Sequence, residues 1–189
     1  MTIGRLLLFG AALLSTPRLG AQPRPDFSGR WVRVEDSIAA RGPTVATAGD
    51  VAFRTGDMET GWGTATSPLT ITQRADSLVV EYVFFAPYDL QPPVRLAYAM
   101  NGGVSVNRVM IGHATSDQRA RVIWNGAALV IATDVPLPRD VEGAARTTAV
   151  RQTLTMESPT SLVIETWRAG VAGSLPTTVT TRYGRRGGS

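Results

Sequence analysis

The chain has no cysteine, and this absence excludes several kinds of protein. Without thiols it has neither disulfides to stabilise a fold nor thiolate ligands for a structural metal site. Only one histidine, His113, occurs among the 189 residues, so a metal site made of several imidazoles is excluded as well. Stability must therefore come from burial of apolar side chains and from backbone pairing.

Lysine is also absent, because all 19 basic residues are arginine. The pI of about 10.3 reflects the guanidinium group, which keeps its proton at ordinary pH, more than an excess of charge, since the formal net charge is only +4. The arginines are spread along the chain and form no basic stripe with interleaved aromatic residues. We therefore expect no nucleic-acid partner.

The N-terminal segment has the pattern of an export signal. Arg5 supplies a positive charge, residues 6–14 form an apolar core, and residues 19–22 (LGAQ) offer small side chains for cleavage. The apolar run is shorter than the ~20 residues of a membrane-spanning helix, and no cysteine follows that could carry a lipid. Residues 1–21 are predicted to be a signal peptide of a periplasmic or secreted protein without a stable membrane anchor; a buried N-terminal helix is the alternative.

The rest of the chain alternates short runs rich in Val, Thr, Ile and Leu with turn residues, the pattern of antiparallel β-structure. Strands at 29–34 and 177–183 are predicted to begin and end the series, for about eight to ten strands. Four hairpins are predicted between them, joining 69–73 to 77–85, 94–100 to 104–110, 119–124 to 128–134, and 151–156 to 161–168.

A meander of this length is predicted to form one all-β domain over residues 22–184, with a flexible tail at 185–189. Closure into an antiparallel up-and-down barrel removes the exposed edges, and two packed sheets in a β-sandwich are the alternative. The Gly-rich segment 35–64 does not fit the meander. It is predicted to be a lid or binding loop, or else a disordered insertion with a short strand near 51–54.

The first predicted strand contains a Gly-x-Trp motif, Gly29-Arg30-Trp31, within the opening Asp-Phe-Ser-Gly-x-Trp. In motif and position it resembles the lipocalins and the wider calycin barrels, and the chain is similar to small exported bacterial proteins with the same opening. The resemblance implies a lipocalin-like barrel in which Trp31 closes one end. It also implies that an arginine of the last strand, here Arg182, stacks on that tryptophan, a cation–π contact of about 0.5–2 kcal/mol.

Catalytic patterns are scarce in the sequence. His113, Ser116 and Asp117 are too close together on one strand or loop to aim at a common centre, and no serine lies in a nucleophile elbow. Asp57 and Glu59 lack the spacing of a calcium loop. We predict no catalytic residues, no metal site and no cofactor, and an enzyme ranks last among the possible functions.

Aromatic side chains lie on several predicted strands and favour either a packed core or the wall of a ligand cavity. Tyr82 and Phe84 alternate on one strand face with Leu78 and Val80, as an interior face requires. For a cavity, the predicted ligand-binding residues are Tyr82, Phe84, Arg108, Arg121 and Trp124, with Asn107 as a further polar group. The leading hypothesis is a binding module for a small apolar or amphipathic molecule. The alternative is a protein-interaction module, an inhibitor or assembly accessory, that acts through segment 35–64.

Overall fold

The computed structural model describes residues 24–34, 39–41, 62, 68–82, 93–111, 114–137, 147–171 and 174–187. The predicted signal peptide, the predicted strand near 51–54, Phe84 and His113 lie outside the described residues. No helix within the described ranges is long and apolar enough to cross a membrane.

All described regular elements are β-strands in one antiparallel sheet. The sheet follows the order β5-β4-β3-β1-β11-β10-β9-β8-β7-β6, and β2 pairs alongside β11. It curls into a nearly closed up-and-down barrel, so the predicted all-β meander is confirmed. The strands are β1 (Gly29–Arg33), β2 (Ala39–Arg41), β3 (Leu69–Gln73), β4 (Ser77–Tyr82), β5 (Val94–Ala99), β6 (Val104–Ile111), β7 (Ala114–Asn125), β8 (Ala128–Pro136), β9 (Thr147–Ser158), β10 (Ser161–Arg168) and β11 (Thr177–Arg185).

Three of the four predicted hairpins form as backbone ladders: β3–β4, β7–β8 and β9–β10. The β7–β8 turn consists of Gly126 and Ala127, and Gly126 has a φ of 60°, a conformation that glycine adopts without steric cost. Side chains alternate between the two faces as expected, and Leu162, Ile164 and Thr166 of β10 all point to the buried side.

The fourth predicted hairpin was wrong as a backbone ladder, because β5 and β6 stand at opposite ends of the sheet order. Side chains of β6 close the gap instead. Asn107 Oδ1 accepts a hydrogen bond from Ala97 N at 2.7 Å, and Asn107 Nδ2 donates to Ala97 O at 3.1 Å. Ser105 Oγ accepts from Ala99 N at 2.7 Å. An amide side chain offers an acceptor and donors, as a peptide group does, so Asn107 takes the place of a main-chain partner. We call this contact of Ala97, Ala99, Ser105 and Asn107 the β5–β6 seam.

The two ends of the barrel differ. At the turn end, short connections at 74–76, 126–127 and 159–160 join successive strands. At the loop end, longer connections span 137–146 and 169–176. Apolar side chains without any exposed surface fill the turn end: Phe27, Trp31, Leu78, Leu129, Leu154 and Leu162.

Trp31 lies at the turn end, where its Nε1 donates to Phe27 O at 2.9 Å. The guanidinium carbon of Arg185 is 4.6 Å from the centre of the Trp31 ring, in cation–π geometry. Gly29 permits this approach, because a Cβ there would stand 3.2 Å from Arg185 Nη1. Its φ of +149° also disfavours other residues.

The predicted role of Arg182 was wrong, and the reason is strand alternation. Thr181 and Tyr183 are buried, so Arg182 between them points outward, where its Nε and Nη2 bind the Glu157 carboxylate at 2.9 and 2.8 Å. Arg185 has the inward parity of Tyr183 and is paired in register with Trp31. β11 therefore continues to Arg185, one residue into the stretch predicted as a flexible tail.

Trp62, from the segment between β2 and β3, is also part of the core. Its side chain is 4% exposed and its ring lies 6.1 Å from that of Tyr98 on β5. Its carbonyl oxygen accepts a hydrogen bond from Tyr183 Oη at 3.0 Å. One residue of the segment predicted as a lid or binding loop is thus held inside the barrel.

Candidate functional site

Polar side chains are interspersed with apolar ones inside the loop end of the barrel, where Val135 and Val179 are also buried. The β8 series begins with the apolar Leu129 and Ile131 and continues, on the same face, with Thr133. Thr166 of β10 and Gln152 of β9 are directly paired, and both are buried. We call this set the polar cluster: Gln118 of β7, Thr133 of β8, Thr148 and Gln152 of β9, Thr166 of β10 and Thr181 of β11.

Three oxygens of the polar cluster have no hydrogen-bond partner among the described residues: Thr133 Oγ1, Thr166 Oγ1 and Gln118 Oε1. By contrast, Thr148 Oγ1 donates to Ala169 O at 3.1 Å. A buried polar group without a partner costs about 1–3 kcal/mol, and nearly all such groups in folded proteins are bonded to protein or water. The unpartnered oxygens therefore call for a partner beyond the described residues, and both water and a ligand can supply one.

A buried charge adds to the polar interior. Arg33 of β1 is 8% exposed, and its Nε and Nη2 have no hydrogen-bond partner within the part of the chain that the structure describes. Arg33 is paired in register with the inward-facing Tyr183, at the end of β1 that points toward the loop end. Because a buried, unpaired guanidinium is costly, this site favours an electron-rich group that accepts hydrogen bonds.

The structure separates the residues predicted to bind a ligand. Tyr82 lies beside the core and is partly buried, and burial raises its pKa to about 12. Trp124 belongs to the turn end, where it stacks on Phe27 with ring centres 6.0 Å apart. The guanidinium carbon of Arg24 lies 5.2 Å from the centre of the Trp124 ring. Neither Tyr82 nor Trp124 belongs to the polar cluster, and Phe84 lies outside the described residues.

The two predicted arginines point away from the interior. Arg108 is exposed, with its Nε 3.9 Å from Asp117 Oδ1, because the neighbouring Asn107 faces inward. Arg121 is exposed between the buried Ala120 and Val122, and its Nη1 donates to Gly102 O at 3.2 Å. Alternation allows one residue of each adjacent pair to face inward, so these predictions placed the arginines on the wrong face.

Sequence reasoning did not recognise the inward-facing threonines and glutamines as a site. The available signal was the same two-residue period that marks Leu129 and Ile131 as core, which continues to Thr133. Whether a hydroxyl has a hydrogen-bond partner depends on its neighbours on other strands, and only the three-dimensional structure shows those neighbours. In the described ranges, no group of three His, Asp or Glu side chains could hold a metal ion.

No protein-family model and no curated protein matches the chain. Among solved structures, it is similar to a variant of the fluorescent protein UnaG, with 15% sequence identity and a TM-score of 0.46. The match covers 86% of this chain and 97% of the other. A likeness this distant supports no conclusion about function.

Proposed function

We propose that the protein binds a small amphipathic molecule at the loop end of its barrel. The observation that carries this proposal is the set of unpartnered oxygens on Thr133, Thr166 and Gln118, which line the inside of the barrel. The polar group of the ligand hydrogen-bonds to these side chains, and its apolar part lies against neighbouring inward-facing aliphatic residues such as Val150. We further propose, on the pattern of residues 1–21, that the protein is exported.

The packed turn end limits the size of such a ligand. Trp31, Leu129, Leu154 and Leu162 have no exposed surface, and Trp62 is 4% exposed. Side chains already fill that end, so the ligand is shorter than a molecule that would run the length of the barrel. The inward-facing Gln118, Val150 and Arg168 are only partly buried, which supports entry from the loop end.

The first prediction tests the polar cluster with the double variant Thr133→Val, Thr166→Val. Valine has the shape of threonine without the unpartnered hydroxyl, so we expect the free energy of unfolding to stay equal or to rise by up to about 1–3 kcal/mol. Binding should fall, as measured by native mass spectrometry of protein purified from its own host. A bound mass present in the original protein should be lost from the variant.

Thr148→Val is the matched control, because its hydroxyl already donates to Ala169 O at 3.1 Å. This variant should lower the free energy of unfolding and keep the bound mass. The proposal fails if protein from the native host carries no molecule and a crystal structure shows only ordered waters on the three oxygens.

A further inference from the structure

A shallow groove of about 440 Å³ crosses the outer wall of the barrel. It lies on the outer face of strands whose inner face carries the polar cluster. Its volume lies in the range of small-molecule sites. On β7 the buried Ala120 and Val122 point inward, so Arg119 and Arg121 point outward into this groove. The outward-facing residues that line this outer groove are Val104, Arg119, Arg121, Ala132, Asp134, Ala149, Arg151 and Trp167, and the inward-facing Ala120, Thr133 and Val150 of the same strands complete its lining.

The shape of the groove follows from one row of side chains across neighbouring strands. Arg121 is paired in register with Ala132, and Ala132 with Arg151. Strands lie about 4.8 Å apart, so a single methyl group separates two long cationic side chains and leaves a depression between them. Ala149 extends this floor, and Trp167, in register with Arg151, forms one wall.

The groove carries a net positive charge, three arginines against one carboxylate, and that carboxylate, Asp134, is paired in register with Arg119. None of Arg119, Arg121 and Arg151 forms a salt bridge with another described residue, and Asp134 is the one carboxylate among the lining residues.

Contacts with uncharged groups hold two of these arginines in place. Arg121 Nη1 donates to Gly102 O at 3.2 Å, and the Arg151 guanidinium lies 5.3 Å from the centre of the Trp167 ring. Guanidinium groups fixed in this way bind carboxylates and phosphates through paired hydrogen bonds.

We propose that the outer groove binds a small organic anion. Its carboxylate or phosphate lies between Arg121 and Arg151 over the Ala132 floor, and an apolar ring packs against Trp167, which is in register with Arg151. The concave shape fits a small molecule better than a flat membrane surface, and the Asp134 carboxylate disfavours a run of phosphates.

The second prediction uses three probes of one shape: 2-naphthoate, 2-naphthyl phosphate and the neutral 2-naphthalenemethanol. Affinities are measured by NMR titration, following the indole N–H signal of Trp167. We expect at least one anion to bind about tenfold or more tightly than the alcohol, because charge-assisted hydrogen bonds are the stronger ones. The tighter of the two anions identifies the head group. Equal binding of all three probes would overturn the proposal.

Two variants locate the site. Arg121→Gln with Arg151→Gln should weaken the preferred anion about tenfold or more, while the matched Arg74→Gln, an exposed arginine in the β3–β4 turn, should not. Ala132→Leu fills the floor without changing the charge, and it should abolish binding. The proposal is wrong if the preferred anion binds Ala132→Leu as it binds the original protein. Thr166→Val alone should leave this binding unchanged, because Thr166 belongs to the polar cluster and does not line the groove, and this variant separates the outer groove from the proposed interior site.

Discussion

At the scale of single residues, Trp62 shows how a side chain from outside the meander completes the core. It packs on Tyr98 with ring centres 6.1 Å apart and accepts a hydrogen bond from Tyr183 Oη at 3.0 Å. No strand of the sheet contains it, yet only 4% of its surface is exposed. An indole in this position occupies volume that the strand residues alone would leave empty.

The third prediction follows from that volume. Trp62→Ala should lower the free energy of unfolding by about 3–5 kcal/mol, because removal of a large buried aromatic side chain leaves a cavity. Guanidinium denaturation measures the loss. The matched control is Trp167→Ala, which removes the same side chain from the outer wall and should cost less. A loss for Trp62→Ala no larger than that of the control would show that Trp62 is not part of the core.

The fourth prediction concerns Tyr82 at alkaline pH. Burial raises its pKa from 10.0 to about 12, so the folded protein keeps the phenol protonated where the unfolded chain releases the proton. The stability that this burial supplies is fully present below pH 10.0 and is lost as the pH rises toward about 12. The chain has no lysine or cysteine, so tyrosines are the side chains that titrate in this range.

Denaturation at a series of pH values between 9 and 12 tests this sign. The free energy of unfolding should fall in the original protein, and less steeply in Tyr82→Phe, by up to about 1.4 kcal/mol per pH unit. Tyr98 is shifted in the same direction by burial, so some alkaline loss should remain in the variant. Identical slopes for the two proteins would contradict the assignment to Tyr82.

At the scale of elements, the β5–β6 seam joins two consecutive strands of the barrel through side chains. Among the described strands that are consecutive in the chain and in contact, it is the one pair without a main-chain ladder. The Asn107 amide bonds both polar groups of Ala97, and the side chain is 8% exposed. Two strand edges thus meet without pairing their own peptide groups. Because edge strands with unpaired groups tend to associate with other chains, the seam also protects the barrel.

The fifth prediction tests the seam with Asn107→Ala. The substitution leaves Ala97 N and O without partners, so the free energy of unfolding should fall by about 1–3 kcal/mol. Amide hydrogen exchange should accelerate at Ala97, whereas Asn125→Ala, at the exposed end of β7, should leave that rate unchanged. Unaltered exchange at Ala97 in Asn107→Ala would mean that the side chain does not hold the seam.

At the scale of the whole molecule, local patterns predicted the barrel well. Strand periodicity and turn residues placed three hairpins and both terminal strands, since these depend on neighbours in sequence. The pairing of Trp31 with Arg185 was missed because it depends on where β11 ends. Trp62 was missed because the sequence of segment 35–64 shows no strand or helix period that would mark a buried residue. The unpartnered oxygens of the polar cluster depend on contacts between strands, which no local pattern records.

The pairing of β1 with β11 has a further consequence for how the molecule can be handled. Arg186 N donates to Arg30 O at 2.8 Å, so the chain on either side of the barrel's first and last strands lies together at the turn end. A tether attached before Arg24 or after Gly187 would emerge there, and the opposite pole, where Thr133 and Thr166 lie inside, would face away from any support. Protein immobilised in this way exposes the loop end of the barrel to the solution, whether the tether is attached before Arg24 or after Gly187.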